Sequence, residues 1–225
     1  MSEGDCVYKG LVAWLTVLRK LLVPDFCYVC RACDQVNQGL CTTCRAAVRP
    51  VVSMPVPITK TKTITVHAAS TYEYPLKHLI LKKNYGLIGA SVVLANVIYD
   101  LTAVQHKKFD LIVPVPLHWT RYAWRWFNQS EVIARVLHKK TGIPVIPLVK
   151  RIQRTKFQAG LSQKQRHTNV SQAFALQGDF ESYKGKKILI VDDVYTTGTT
   201  IKEVSRLLAT LNPESIDVVV ACRVF

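Results

Sequence analysis

The chain has 225 residues, 49% of them hydrophobic, which is enough for one full α/β domain plus a small accessory module. Thirty basic residues against fifteen acidic give a net charge of +15, a balance that favours polyanionic partners: nucleic acid, phosphorylated substrates or an anionic membrane surface. A membrane-spanning class is excluded, because the longest N-terminal apolar run, residues 11–18, is too short and is stopped by Arg19 and Lys20.

Leu11, Trp14, Leu15, Leu18 and Leu22 follow helical spacing, and Pro24 ends that helix. Glu3 and Asp5 spoil a secretory n-region, so the expected location is the cytoplasm. Next come Cys27-x2-Cys30 and Cys41-x2-Cys44, ten residues apart. Each pair can present two thiolates to one metal, and two pairs complete a tetrahedral site with no open position. Zinc suits four sulfurs best, in a structural role. Cys33 is the spare ligand; Cys6 and Cys222 read as ordinary thiols. Arg31, Arg45 and Arg49 around the knuckle suit either DNA or solvent.

Residues 51–58 carry two prolines among valines, directly after Pro50, and read as an extended linker. The expected division is therefore residues 1–55, an N-terminal helix and zinc-finger module, and residues 56–225, a second domain. Beyond the linker, strands alternate with helices: strands over 63–69, 111–115, 145–148, 188–191 and 216–221, helices over 76–81, 90–101, 129–140 and 199–211. That alternation predicts a mainly parallel sheet with ligands at the carboxyl ends of its strands.

The charge is segregated. Residues 121–170 hold eleven Lys/Arg and the single acid Glu131, whereas residues 171–225 hold six Lys/Arg and seven acids. Within the basic part, Trp119, Tyr122, Trp124, Trp126 and Phe127 interleave with Arg121 and Arg125. Arginines among stacking platforms suit single-stranded nucleic acid; the competing reading is that these aromatics pack a sheet flank.

Residues 188–200, ILIVDDVYTTGTT, carry the sharpest signal. A buried apolar strand delivers Asp192 and Asp193, and Val194 and Tyr195 lead into Thr196, Thr197, Gly198, Thr199 and Thr200 at the start of a helix. Gly198 permits a tight turn and close backbone approach. Hydroxyls and helix-start N–H groups suit a phosphate. Two carboxylates suit ribose hydroxyls or a bridging magnesium ion.

This segment resembles the binding motif for 5-phosphoribosyl-1-pyrophosphate (PRPP) in type I phosphoribosyltransferases. The resemblance implies an α/β fold with a five-stranded parallel core sheet flanked by helices, a flexible loop and a variable hood. It implies that Asp192 and Asp193 contact the ribose 2′- and 3′-hydroxyls, that residues 196–200 form the 5′-phosphate cradle, and that magnesium accompanies PRPP. It also implies a pyrophosphate loop after the strand at 111–115, with Arg121 its candidate residue. The mobile loop that closes over the leaving group would draw on Arg151, Arg154, Lys156 and Arg166.

The run VPVPLHWTRYAWRWFNQSE over 113–131, R-x-x-x-T-x-x-Q-x-x-L-S over 151–162, R-x-x-N-V over 166–170 and Ala173-Phe174 resemble the ComF/GntX family of bacterial competence-related proteins. That family carries an N-terminal four-cysteine finger. The resemblance implies a factor for natural transformation that binds PRPP and handles single-stranded DNA in the cytoplasm, with Arg121, Trp124, Arg125, Trp126, Lys156 and Arg166 toward the DNA. Other competence proteins are candidate partners, and such folds often dimerise. The alternative is an active phosphoribosyltransferase displacing pyrophosphate from ribose C1, with an unread base or amine as acceptor.

Overall fold

The computed structural model describes residues 26–82, 88–117, 127–152 and 173–225. The helix expected over residues 11–22 lies outside them. The cysteine-rich stretch opens with a two-stranded ladder, β1 (Val36–Asn37) and β2 (Leu40–Cys41), followed by the short helix α1 (Thr42–Ala46).

The main sheet comprises β3 (Met54–Pro57), β4 (Thr63–Thr71), β5 (Leu111–Pro114), β8 (Lys187–Tyr195) and β9 (Ser215–Arg223) in the order β3-β4-β9-β8-β5. β4, β9, β8 and β5 run parallel; β3 is antiparallel to β4. The segment read as a linker is thus partly an edge strand. Its Pro55 and Pro57 are exposed, and an edge strand is the place in a sheet that tolerates prolines. The strand expected over 145–148 reduces to one parallel bridge from Val145 to Ile112. Regular pairing resumes as the antiparallel ladder of β6 (Val149–Arg151) and β7 (Phe174–Leu176).

Helices cover both faces. α2 (Leu76–Lys82), α3 (Ile88–Leu101) and α4 (Gln129–Thr141) share one hydrophobic cluster with Leu189, Val191 and Val219. α5 (Thr199–Ala209) covers the other face, where Ile201, Val204 and Leu208 meet Ile188, Ile190 and Val218. Their i, i+3, i+7 spacing is the apolar stripe of an amphipathic helix. Alternate residues of β8 therefore serve opposite cores, the requirement of a strand buried on both faces.

Cys27, Val29, Leu40, Cys41, Cys44 and Val48 belong to the same cluster as α2, α3 and α4. The cysteine module is docked, not tethered. Tyr28 lies over α3, where a Cβ on Gly89 would fall 2.1 Å from its hydroxyl. Arg45 donates to Asp100 of the same helix at 2.9 Å.

At the amino end of the sheet a polar network interrupts this core. Asp217 on β9 accepts from His67 Nε2 on β4 and from Lys107 Nζ, each at 2.8 Å, and His67 Nδ1 contacts Ser53 Oγ at 2.6 Å. Burial alone would raise the Asp217 carboxyl, but the hydrogen bonds from His67 and Lys107 outweigh it and hold the group below its ordinary value. A depressed folded-state value stabilises the fold above the ordinary 3.8 and stops doing so as pH falls through the folded-state value. Asp217→Asn should therefore cost on the order of 3 kcal/mol at neutral pH. Calorimetric melting across pH checks this: the gap between wild type and variant should be widest above pH 5 and close on acidification.

Candidate functional site

The expected strand over 188–191 runs on through both acids to Tyr195, so the carboxylates sit inside the hydrogen-bonded ladder. Asp192 pairs with Val220, Val194 with Cys222 and Tyr195 with Arg223. Asp192 Oδ1 accepts from the Asp193 backbone N–H at 2.9 Å and from Ser130 Oγ at 2.8 Å.

Ser130 stands in the first turn of α4. The cap of that helix, Asn128, accepts from the Ser130 N–H at 3.1 Å and donates from Nδ2 to the Val115 carbonyl at 3.1 Å. One asparagine thus fastens α4 to the end of β5 and aims the serine at Asp192. The positive end of a helix dipole further favours a carboxylate there. Asn128 and Ser130 are positioning residues that the sequence reading did not single out. The signal available was the Asn-x-x-Glu helix-start pattern over 128–131. In the structure Glu131 turns instead to Arg135, at 2.6 Å.

After Tyr195 the chain turns through Thr196, Thr197 and Gly198 into α5. Gly198 is left-handed, with φ of 73°, and a Cβ on it would lie 2.1 Å from the Tyr195 hydroxyl. Conformation and space both demand glycine. Tyr195 is buried beneath the turn, and that burial pushes its phenol up, with Arg223 pulling the other way. The α5 cap has no side-chain hydrogen bond, and the Lys202 N–H already closes onto the Gly198 carbonyl at 2.8 Å. The first helical N–H groups are thereby left pointing outward. Thr197 and Thr199 hydroxyls stand 3.0 Å apart at this mouth. Outward N–H groups, clustered hydroxyls and a helix dipole together suit a phosphate.

Of the expected cations, Arg151 ends β6, with its guanidinium 5.3 Å from the centre of the Phe174 ring. Arg121, Trp124, Arg125, Trp126, Arg154, Lys156 and Arg166 lie outside the described residues, as do Trp119 and Tyr122. Phe127 is buried, in keeping with a packing role. A cleft of about 990 Å³ opens between α4 and the β6 side, with Pro116, Asn128, Arg135, Lys139, Lys150 and Arg151 among its walls.

The four predicted cysteine ligands converge: the sulfurs of Cys27, Cys30, Cys41 and Cys44 all lie within 4.8 Å of one another. Cys30 and Cys41 Sγ are 3.6 Å apart, far beyond a disulfide, and all four cysteines are free. Tetrahedral Zn–S bonds of about 2.3 Å imply sulfurs about 3.8 Å apart, so the arrangement fits a four-sulfur metal centre. Burial pushes the Cys27 thiol up, but backbone N–H groups of Cys30, Cys41 and Val29 outweigh it and bring it to about 6. Burial pushes Cys44 up to about 12, the other three thiols adding to the rise and Tyr74 opposing it. Four thiolates in one pocket repel each other, and a divalent cation relieves that repulsion. Cys33 is exposed and outside the cluster, and Cys222 is buried in the sheet.

The model of the phosphoribosyl transferase domain matches residues 128–224, from the α4 cap through β9. The chain is 38% identical over 115 residues to Competence protein F of Haemophilus influenzae, spanning half the length of that relative and 51% of this chain. It is 28% identical over 233 residues to DNA utilization protein YhgH of Salmonella typhimurium, covering 90% of this chain and 99% of the relative. It is also 30% identical over 105 residues to Competence protein ComFC of Bacillus subtilis, covering 47% and 40%. Among solved structures, adenine phosphoribosyltransferase from Thermoanaerobacter pseudethanolicus aligns over 81% of this chain and 98% of its own, at 16% identity and a TM-score of 0.37. No helix among the described residues is long and apolar enough to cross a membrane. The chain thus carries a four-cysteine cluster ahead of a segment that matches the phosphoribosyl transferase domain, and it is similar in sequence to competence and DNA-utilisation proteins.

Proposed function

We propose that this protein binds PRPP at the carboxyl end of β8 and handles single-stranded DNA in the cytoplasm during DNA uptake and utilisation. The observation that carries the reading is a conjunction of two features. Half-buried carboxylates, one aimed by Ser130, lead directly into a hydroxyl-lined turn at a helix start. In this reading Asp192 and Asp193 accept from the ribose hydroxyls, Val194 and Tyr195 form the floor, and Thr196, Thr197, Gly198, Thr199 and Thr200 cradle the 5′-phosphate. Magnesium bound with PRPP would shield the diphosphate, assisted by Arg121, Arg151, Arg154, Lys156 and Arg166. The competence and DNA-utilisation names of the relatives, with the excess of basic residues over 121–170, support single-stranded DNA as partner. Arg121, Trp124, Arg125, Trp126, Lys156 and Arg166 are the residues assigned to it. Other competence proteins and a second copy of the chain are further partners in this reading.

Cys27, Cys30, Cys41 and Cys44 are assigned to a structural zinc ion. The division follows function: residues 1–55 around the metal, 56–225 around the phosphoribosyl ligand. A second reading, an active phosphoribosyltransferase, is favoured by the family match over 128–224 and by the ordered carboxylate pair. Release of pyrophosphate from Mg·PRPP on addition of a nucleobase or amine separates the two, since a factor that only binds PRPP releases none.

Calorimetric titration with Mg·PRPP should give saturable binding. Asp192→Ala/Asp193→Ala should weaken it at least about 30-fold, since charge-assisted hydrogen bonds contribute about 1.5–3 kcal/mol. Gly198→Ala should be comparably damaging through the turn, and unchanged affinity in both variants would remove the ligand from β8. Oligonucleotide binding should survive these changes and weaken steeply with salt.

Metal analysis should find one zinc per chain. Cys44→Ser should lose the metal and lower the melting temperature, because the cluster shares its core with α2 and α3. A Cys44→Ser protein that retains zinc and melts like wild type would exclude this cluster as the metal centre.

A further inference from the structure

Tyr74 and Phe225 are the exposed aromatic side chains of the described residues, Tyr74 at 58%. An exposed tyrosine is usually free to move. This one is pinned: its hydroxyl lies 3.3 Å from Cys44 Sγ, and its chain neighbours Pro75 and Leu76 are buried at the start of α2. When Cys44 is a thiolate it can only accept, so the tyrosine hydroxyl donates. The hydroxyl contact and the buried chain that follows hold the ring while more than half of the residue stays exposed.

Its surroundings are aromatic and basic. The Lys77 ammonium sits 5.7 Å from the centre of the Tyr72 ring, and the Arg31 guanidinium 4.9 Å from that of Phe26 beside the first cysteine pair. Arg49 is exposed, with only a loose 3.7 Å contact to Glu73. The location matters as much as the composition. Thr71, Arg223 and Tyr195 stand in one row across β4, β9 and β8. The Tyr72 N–H donates to the Arg223 carbonyl at 2.9 Å. At about 4.8 Å per strand, the corner carrying Tyr74 begins about 10 Å from the root of the threonine loop, on the same edge of the sheet.

We infer that Tyr74, fixed by its hydroxyl to Cys44, is a base-stacking residue through which the cysteine module holds single-stranded nucleic acid beside the phosphoribosyl site. A preorganised ring gives up little rotamer entropy on stacking, and every nucleobase has a face to offer it. Arg31, Arg49 and Lys77 supply the charge that complements a phosphate backbone. The inference rests on the single-stranded DNA reading and adds to it a stacking residue outside the basic, aromatic segments that the sequence singled out.

The test uses the full zinc-loaded chain, a fluorescent oligothymidylate read by anisotropy at fixed salt, and metal analysis of each variant. Tyr74→Leu should bind the oligonucleotide roughly 5- to 100-fold more weakly, the loss expected of one stacked base. Its Mg·PRPP affinity should be unchanged. Tyr74→Phe and Tyr74→Trp, which keep a ring and remove the hydroxyl, should bind within a few-fold of wild type while releasing zinc faster to a chelator. Wild-type protein irradiated with an oligonucleotide carrying 5-iododeoxyuridine should cross-link within residues 72–77, a readout that no folding defect can imitate. Wild-type binding with no cross-link there, or Tyr74→Leu binding like wild type, overturns the inference and leaves DNA binding standing. Failure of wild type to bind the oligonucleotide even at low salt overturns both.

Discussion

Parallel pairing of β4, β9 and β8 is the constraint from which the rest of this molecule follows. Parallel strands need helical crossovers, so both faces of the sheet are covered and the central strands become apolar on both sides. Ile188 to Val191 meet that demand by alternating between two cores. The first positions free of it are Asp192 and Asp193, where the covering helices end and polar side chains can be tolerated. Because the strands run the same way, their carboxyl ends also lie on one edge. The threonine turn, the Ser130-aimed carboxylate and the corner at Tyr72–Tyr74 are therefore neighbours despite their separation in sequence.

The same geometry accounts for the cysteine module. A metal knuckle of this size cannot bury a core of its own, and here it does not try. Leu40, Cys44 and Val48 complete the cluster of α2 and α3, Arg45 pairs with Asp100, and Tyr28 fills the space that Gly89 leaves open. A metal held by this cluster would thus be coupled to the packing of α2, since without it four thiolates would repel one another beneath a helix of the main domain until they took up protons. Tyr74 makes the coupling local: one residue touches the sulfur cluster with its hydroxyl and leads into α2 with its backbone.

What was legible in the sequence was local and periodic. The apolar run ending in two acids, the stripe of α5 and the paired Cys-x2-Cys each announce themselves within a few residues, and the structure contains all three. Residues 51–58 misled because proline argues against a strand except on a sheet edge, and edge position is a property of the whole sheet. The pairing of His67 with Asp217, across 150 residues, had no local signature. Neither did the aim of Ser130 at Asp192 across 62 residues, or the reach of Tyr74 to Cys44 across 30. The first depends on register between strands, and the other two on how a helix and the cysteine module dock against the assembled sheet.

Charge adds a last step. The acids of the site and the bases of the chain are kept apart: the strand bearing Asp192 and Asp193 lies in a stretch with more acids than bases, while residues 121–170 are almost uniformly basic. A site built only to grip diphosphate would gain from cations on its own strand. Here the carboxylates are suited to hydroxyls and metal, and the densest run of basic residues falls elsewhere in the sequence, over 121–170. The separation of charge along the sequence therefore accords with the two ligands proposed above, a compact phosphoribosyl group at β8 and an extended nucleic-acid strand held by basic residues elsewhere in the chain.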